Sequence, residues 1–260
     1  MLSKKKSLEY CYKNYKGSGN INSDLWIFGF EPGGDPLVNS QDVSRGNIEN
    51  ADEKSFIEYL NKIENADEKS FIEYLNKPLD DKIEGNTYYI IKDLVEKFNR
   101  KNCLNQSGTK FNINADSDVF YSNLFPLKFP AEKDQRNLDI LNFYREHFND
   151  IEPSDPNERK FYKDCWILER FMSQFSEFNK GEKRVIIITK TNYDDKYLTL
   201  LFCKEGYEQK EPYKIKYGNG ETTINQYKKA NTYVYFIPNR KDDNITKIVF
   251  DEARDKLNIK

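Results

Sequence analysis

The chain has 260 residues and a mass of 30.9 kDa, long enough for one substantial apolar core. Forty-one basic against forty-three acidic residues leave a formal charge of −2, which excludes a global pull toward DNA or an anionic membrane and equally a strongly acidic DNA mimic. The longest apolar runs, such as residues 185–188, fall far short of the ~20 residues of a membrane helix, and the lysine-rich start has no apolar segment behind it, so a cytoplasmic protein with no membrane partner is expected.

Residues 24–30 form a short apolar run ending in Gly29 and Phe30, and Pro32, Gly33, Gly34 and Pro36 follow directly. This pattern predicts a buried strand that breaks into a tight loop. Further strands are expected at 119–124, 184–189 and 232–237, the last two rich in β-branched or aromatic residues. Helical spacing of apolar residues predicts helices at 88–99, 137–148, 158–178 and 245–257, the last with Ile245, Ile248, Val249 and Ala253 on one face. Gly218, Asn219 and Gly220 mark a hairpin between two short strands rather than a phosphate cradle, because neither a helix start nor a Walker lysine follows. Strands alternating with helices imply one α/β domain over 1–260, with a four-stranded, mostly parallel central sheet covered by helices on both sides. In such sheets the ligand crevice lies beyond the carboxyl ends of the strands.

One segment stands apart: the 15 residues 48–62 recur letter for letter as 63–77. Each copy carries its own helix start, Asn50 with Glu53 and Asn65 with Glu68, ahead of a Phe-Ile-x-x-Leu face. In a single helix the second apolar face would be rotated by about 60° from the first, so only part of both could be buried. An identical repeat therefore reads as a duplicated helical insertion at 48–77, terminated by Pro78, and not as a chemical requirement. Deleting residues 63–77 is expected to leave a folded protein, because the remaining copy keeps its cap, its apolar face and its terminator. A deletion variant that melts without a cooperative transition would show that both copies belong to the core.

Cys11, Cys103, Cys165 and Cys203 are scattered without metal-ligand spacing, and the single histidine, His147, has no ligand-like neighbour, so no metal site is expected and the cysteines read as buried free thiols.

The strand followed by Gly29-Phe30-Glu31-Pro32-Gly33-Gly34-Asp35 resembles the first motif of the uracil-DNA glycosylase superfamily, a Gly-x-polar-Pro loop. Three further elements arrive in the family's order. Residues 119–124 look like its middle strand ending in asparagine, 184–189 like a later core strand, and Val234-Tyr235-Phe236-Ile237-Pro238-Asn239-Arg240 like the strand and loop before its closing helix. The resemblance spans roughly residues 25–257 and implies a three-layer α/β/α domain, DNA as partner, no cofactor, and metal-free hydrolysis of the N-glycosidic bond of a flipped base.

That reaction develops positive charge on the sugar and negative charge on the departing base, so a group must face each. Under the resemblance Glu31 stabilises the sugar cation or positions the attacking water, one carbon longer than the smaller polar residue common there. Asn123 pairs with the edge of the flipped base, and Phe30 is placed to stack on it. Asn239, Arg240 and Lys241 fall where the family inserts a wedge into the duplex, with Arg240 or Lys241 on phosphate. Many members begin this last motif with His, which donates to the leaving base, whereas this chain has Ile237. Plain alternatives stand beside each assignment: a loop carboxylate, a turn-forming asparagine, a core aromatic and a solvated charged turn. Residues 125–130, with aromatics, prolines and Lys128, line a pocket, touch a single strand or simply pack a loop.

Two functions follow from these residues. One is a monofunctional DNA glycosylase acting on a damaged or modified base, in repair or in defence against phage DNA. The other is a catalytically inactive glycosylase-like module that binds nucleic acid or nucleotide. An unrelated α/β enzyme whose loop happens to spell Gly-Phe-Glu-Pro-Gly is the third reading.

Overall fold

The structure is a computed structural model describing residues 17–29, 79–80, 85–100, 103, 112–113, 116–124, 138–150, 152, 161–162, 165, 169, 184–190, 199, 202–217 and 220–257. The duplicated segment 48–77, Pro78, residues 30–35 and residues 125–130 lie outside the described residues. The chain divides into two compact units, one of Met1–Lys16, Glu31–Lys77 and Phe125–Cys165, the other of Gly17–Phe30, Pro78–Leu124 and Trp166–Lys260.

The second unit carries the strands. They are β1 (Ser18–Gly19), β2 (Leu25–Gly29), β3 (Leu79–Asp80), β4 (Asn112–Ile113), β5 (Phe120–Asn123), β6 (Arg184–Lys190), β7 (Glu208–Tyr217), β8 (Gly220–Lys229) and β9 (Thr232–Pro238). Strands β3 and β4 pair by themselves, while the other seven form one sheet in the order β1-β5-β2-β6-β9-β8-β7. Its centre, β5-β2-β6-β9, is parallel throughout, and β1, β8 and β7 join antiparallel at the two sides.

The protein is thus α/β with a mixed sheet, and an expectation of four strands counted only the parallel ones. The reason is chemical. The parallel strands are buried on both faces and read as continuous apolar runs, with every residue of β2 buried. Strand β7, at the sheet margin, reads Glu-Gln-Lys-Glu-Pro-Tyr-Lys-Ile-Lys-Tyr and hides no such run. Pro212 and the register shift between Lys210 and Tyr213 blunt it as an edge. The hairpin expected at 218–220 is there, since Tyr217 pairs with Gly220, but its strands are ten residues each rather than short. On the opposite side Gly19, at φ +100°, lets β1 lie close against β5, where a Cβ would collide with the carbonyl of Val119.

Side chains of the sheet alternate between two faces. One face presents Leu25, Ile27, Tyr121, Val185, Ile187, Tyr235 and Ile237 to a core shared with two helices, α1 (Gly85–Lys97) and α3 (Asp243–Ala253). Helix α1 contributes Ile90, Ile91, Leu94 and Val95, and α3 contributes Ile245, Val249 and Ala253. Each fully buried aliphatic side chain of this kind stabilises by roughly 1.5–3 kcal/mol. The other face is aromatic: Trp26 packs on Phe120 at 5.0 Å, and Phe202 meets Tyr207, Tyr227 and Phe236 at 5.0–5.5 Å. The guanidinium of Arg184 lies 4.0 Å from the Trp26 ring while its Nε donates to the Ser23 carbonyl, so this buried charge is both stacked and hydrogen-bonded.

A side-chain cap opens helix α3. Asp242 is extended, at φ −154°, and its carboxylate accepts from the Asn244 N–H at 2.9 Å. Asp242→Ala is expected to cost about 1 kcal/mol. A thermal melt should register this as a fall of roughly 2–4 °C, and an unchanged transition would mean the cap is redundant. A single-turn 3₁₀ segment, Arg254–Lys256, closes the region expected as helix 245–257.

In the first unit α2 (Leu138–His147) matches the helix expected at 137–148. Of the helix expected at 158–178, residues Phe161, Tyr162, Cys165 and Glu169 are described and all four are helical. Phe148 stacks on Tyr162 at 6.1 Å. Among the described residues no helix is long and apolar enough to cross a membrane.

Candidate functional site

The parallel strands β5, β2, β6 and β9 all end at one edge of the sheet. Strand direction alone therefore brings the last residues of four separated segments together. Asn123, the end of β5, pairs in register with Gly29, the end of β2, and the next residue, Leu124, donates its N–H to the Gly29 carbonyl at 2.8 Å. Thr189 of β6, fully buried, donates its hydroxyl to the Phe28 carbonyl at 3.1 Å. These bonds satisfy the carbonyls at the end of β2 and fix where the chain leaves the sheet.

The order of the parallel strands decides which part of this edge opens. From β2 the chain crosses to β5 on one side, and from β6 it crosses to β9 on the other. Such a reversal sends the outgoing loops to opposite sides at the ends of β2 and β6, the usual ligand position of doubly wound sheets. Gly29 ends β2 at this point, directly ahead of Phe30 and Glu31 in the chain. Both of those expected site residues lie outside the described residues, as does the side chain of Asn123.

The loop after β9 is described in full. It is short and held at both ends: the Arg240 N–H donates to the Pro238 carbonyl at 2.8 Å, and Asp242 is already the cap of α3. Asn239 and Arg240 are half-buried and Lys241 is exposed. Arg240 and Lys241 are followed at once by Asp242 and Asp243, so the loop carries mixed charge rather than a strong basic patch.

Helices α1 and α3 run side by side in the same direction, as their successive contacts show. Lys241 Nζ sits 4.0 Å from the Tyr89 ring centroid, the Thr246 hydroxyl donates to the Asp93 carboxylate, and Phe98 meets Phe250 at 5.2 Å. Past the far end of α1, Arg100 pairs with Asp24 at 2.7 Å, just before β2 begins. Both helices therefore point their N-termini toward the carboxyl edge.

No family model, curated protein or solved structure matches the chain.

Ile237, the residue at the position where the resemblance implies a histidine, is fully buried on the helix-covered face in the same core as Ile245 and Val249. It offers no hydrogen bond. Among the described residues no group of three His, Cys, Asp or Glu side chains could hold a metal ion. His147, in the other unit, is exposed and lies against Phe143 and Phe148. The cysteines depart from the uniform burial expected of them: Cys103 is buried, Cys165 half-buried and Cys203 exposed. Burial pushes the Cys103 thiol up to about 11, with the Asp118 carboxylate adding to the rise, so it stays protonated at neutral pH and is a poor nucleophile.

Tyr89 is the residue that sequence reasoning passed over. It is the second residue of the helix expected at 88–99 yet falls off the face made by Ile90, Ile91, Leu94 and Val95, and that offset was a legible sign of exposure.

Proposed function

We propose that the protein is a monofunctional DNA glycosylase that hydrolyses the N-glycosidic bond of a damaged or modified base held at the carboxyl edge of the parallel strands. The observation that carries this reading is the shared edge. Gly29, which immediately precedes Phe30 and Glu31, is in register with Asn123, and the Pro238 to Lys241 loop leaves the same side of the sheet. Four strands about 4.8 Å apart put Asn123 and Pro238 roughly 14 Å from each other. That separation matches about four base steps of a strand at ~3.4 Å each.

In this reading Glu31 opposes the sugar cation, Asn123 reads the base edge, Phe30 stacks on the base, and Asn239, Arg240 and Lys241 contact the strand. Hydrolysis of this kind asks for no redox cofactor. The resemblance also implies the finer architecture, a three-layer α/β/α core built on the four parallel strands. With net charge nearly balanced, contact with DNA in this reading falls to individual groups such as Arg240 and Lys241.

The observation that favours the alternative, a binding module without activity, is Ile237: its buried aliphatic chain supplies no donor to a leaving base. Incubation of the protein with oligonucleotides carrying uracil and a panel of modified bases, followed by cleavage at abasic sites, separates the two. Base release supports the glycosylase. Retained binding without release on any substrate would leave the binding module.

A further inference from the structure

We propose that Tyr89 and Lys241 form a contact for a single DNA strand, the ring stacking on an unpaired base beside the target and the ammonium meeting the adjacent phosphate. This rests on the glycosylase or DNA-binding reading of the carboxyl edge and names how the strand is gripped there.

Among the described residues Tyr89 is the one large hydrophobic side chain that stands exposed, at 46%. Its neighbours on α1 turn inward: Ile90 and Ile91 are buried, and the partly buried Tyr88 meets the Tyr89 ring edge-on at 5.6 Å. Lys241 comes from a different segment, 152 residues later in the chain, and its Nζ lies 4.0 Å from the ring centroid. The loop that delivers Lys241 is tied down by the Arg240 to Pro238 turn and by the Asp242 cap. A cation and an aromatic face are therefore brought together on two anchored elements, at the edge where the parallel strands end.

That pairing is the chemistry of single-strand recognition. Any base offers a π-face to an exposed ring, and a nearby ammonium neutralises the phosphate that the base carries with it. Sequence-tolerant stacking also suits a site that must hold a strand still while one base is turned out of it.

The test is fluorescence anisotropy of a labelled, mixed-sequence single-stranded oligonucleotide and of its duplex, over a salt series, with the full-length protein. Tyr89→Ala should weaken single-strand binding about tenfold, within the usual range for loss of one base stack. Tyr89→Phe, which keeps the ring, should restore it. Lys241→Ala should lower the slope of log affinity against log salt by about 0.7, the share of one phosphate on a single strand. Because both side chains are exposed, the melting transitions of all three variants should match wild type.

Wild-type binding that Tyr89→Ala leaves intact overturns the proposal, and base release by the same preparation would keep the glycosylase reading alone standing. A wild-type protein that neither binds nor releases bases removes both. Equal losses for Tyr89→Ala and Tyr89→Phe would assign the effect to the hydroxyl and overturn stacking.

Discussion

Glu31→Gln is expected to lower base release by about 100-fold while leaving the fold and DNA binding in place. Cleaving a base from its sugar builds positive charge on the deoxyribose ring, and a carboxylate held nearby stabilises that charge without having to reorganise. Glutamine keeps the size and the hydrogen-bonding oxygen but removes the charge. A 100-fold loss corresponds to about 2.7 kcal/mol of transition-state stabilisation at ~1.36 kcal/mol per tenfold. Glu31 follows Gly29 by two residues in the chain, and the Gly29 carbonyl at the end of β2 accepts from the Leu124 N–H at 2.8 Å. Single-turnover base release by wild type and variant, beside their affinities for the same oligonucleotide, is the measurement. Equal release by the two proteins would refute the assigned role of Glu31. Loss of affinity together with release would make it a binding residue instead.

Ile237→His is expected to destabilise the protein by about 3 kcal/mol and to bring no gain in base release. The substitution installs the side chain that many members of the superfamily this motif resembles carry there, so the motif alone would suggest that it is restorative. The structure argues otherwise. Ile237 is fully buried on β9, in one apolar cluster with Val249 and Ile245. An imidazole there needs a donor and an acceptor that these aliphatic neighbours do not supply. Leaving its polar atoms unsatisfied costs about 1–3 kcal/mol, and the lost aliphatic burial adds roughly 1 kcal/mol. Melting should fall by roughly 6–12 °C for a domain of this size.

The penalty should also grow as pH falls. Burial disfavours the imidazolium, so the folded protein holds its proton less tightly than the unfolded chain, whose histidine titrates near 6.5. Below that pH the unfolded state binds more protons and stability drops. A variant that melts like wild type at neutral and acidic pH would mean that the ring escapes the core, and would reopen position 237 as part of the site.

The four parallel strands were legible because their burial on both faces leaves continuous apolar runs. Residues 24–30, 119–124, 184–189 and 232–237 map onto β2, β5, β6 and β9 within one or two positions. Helices α1 and α3 were legible for a related reason, since one buried face per helix imposes its period on Ile90, Leu94 and Val95 and on Ile245, Val249 and Ala253. The Asp242 cap was missed, although an aspartate ahead of an apolar-periodic run is a readable start signal. Strands β7 and β8 were foreshadowed only by Gly218 and Gly220, because marginal strands with charged faces carry little apolar signal.

Local sequence determined which segments become strand or helix, because burial of a periodic face is written into neighbouring letters. Only tertiary structure decided the order β5-β2-β6-β9, since pairing between strands distant in the chain depends on how whole faces fit rather than on any local pattern. The same long-range packing put Gly29 in register with Asn123, turned Ile237 into the core and carried Lys241 onto the ring of Tyr89. Contacts between residues so far apart in sequence form only when the sheet and its helices close on one another, and no nearby residue announces them.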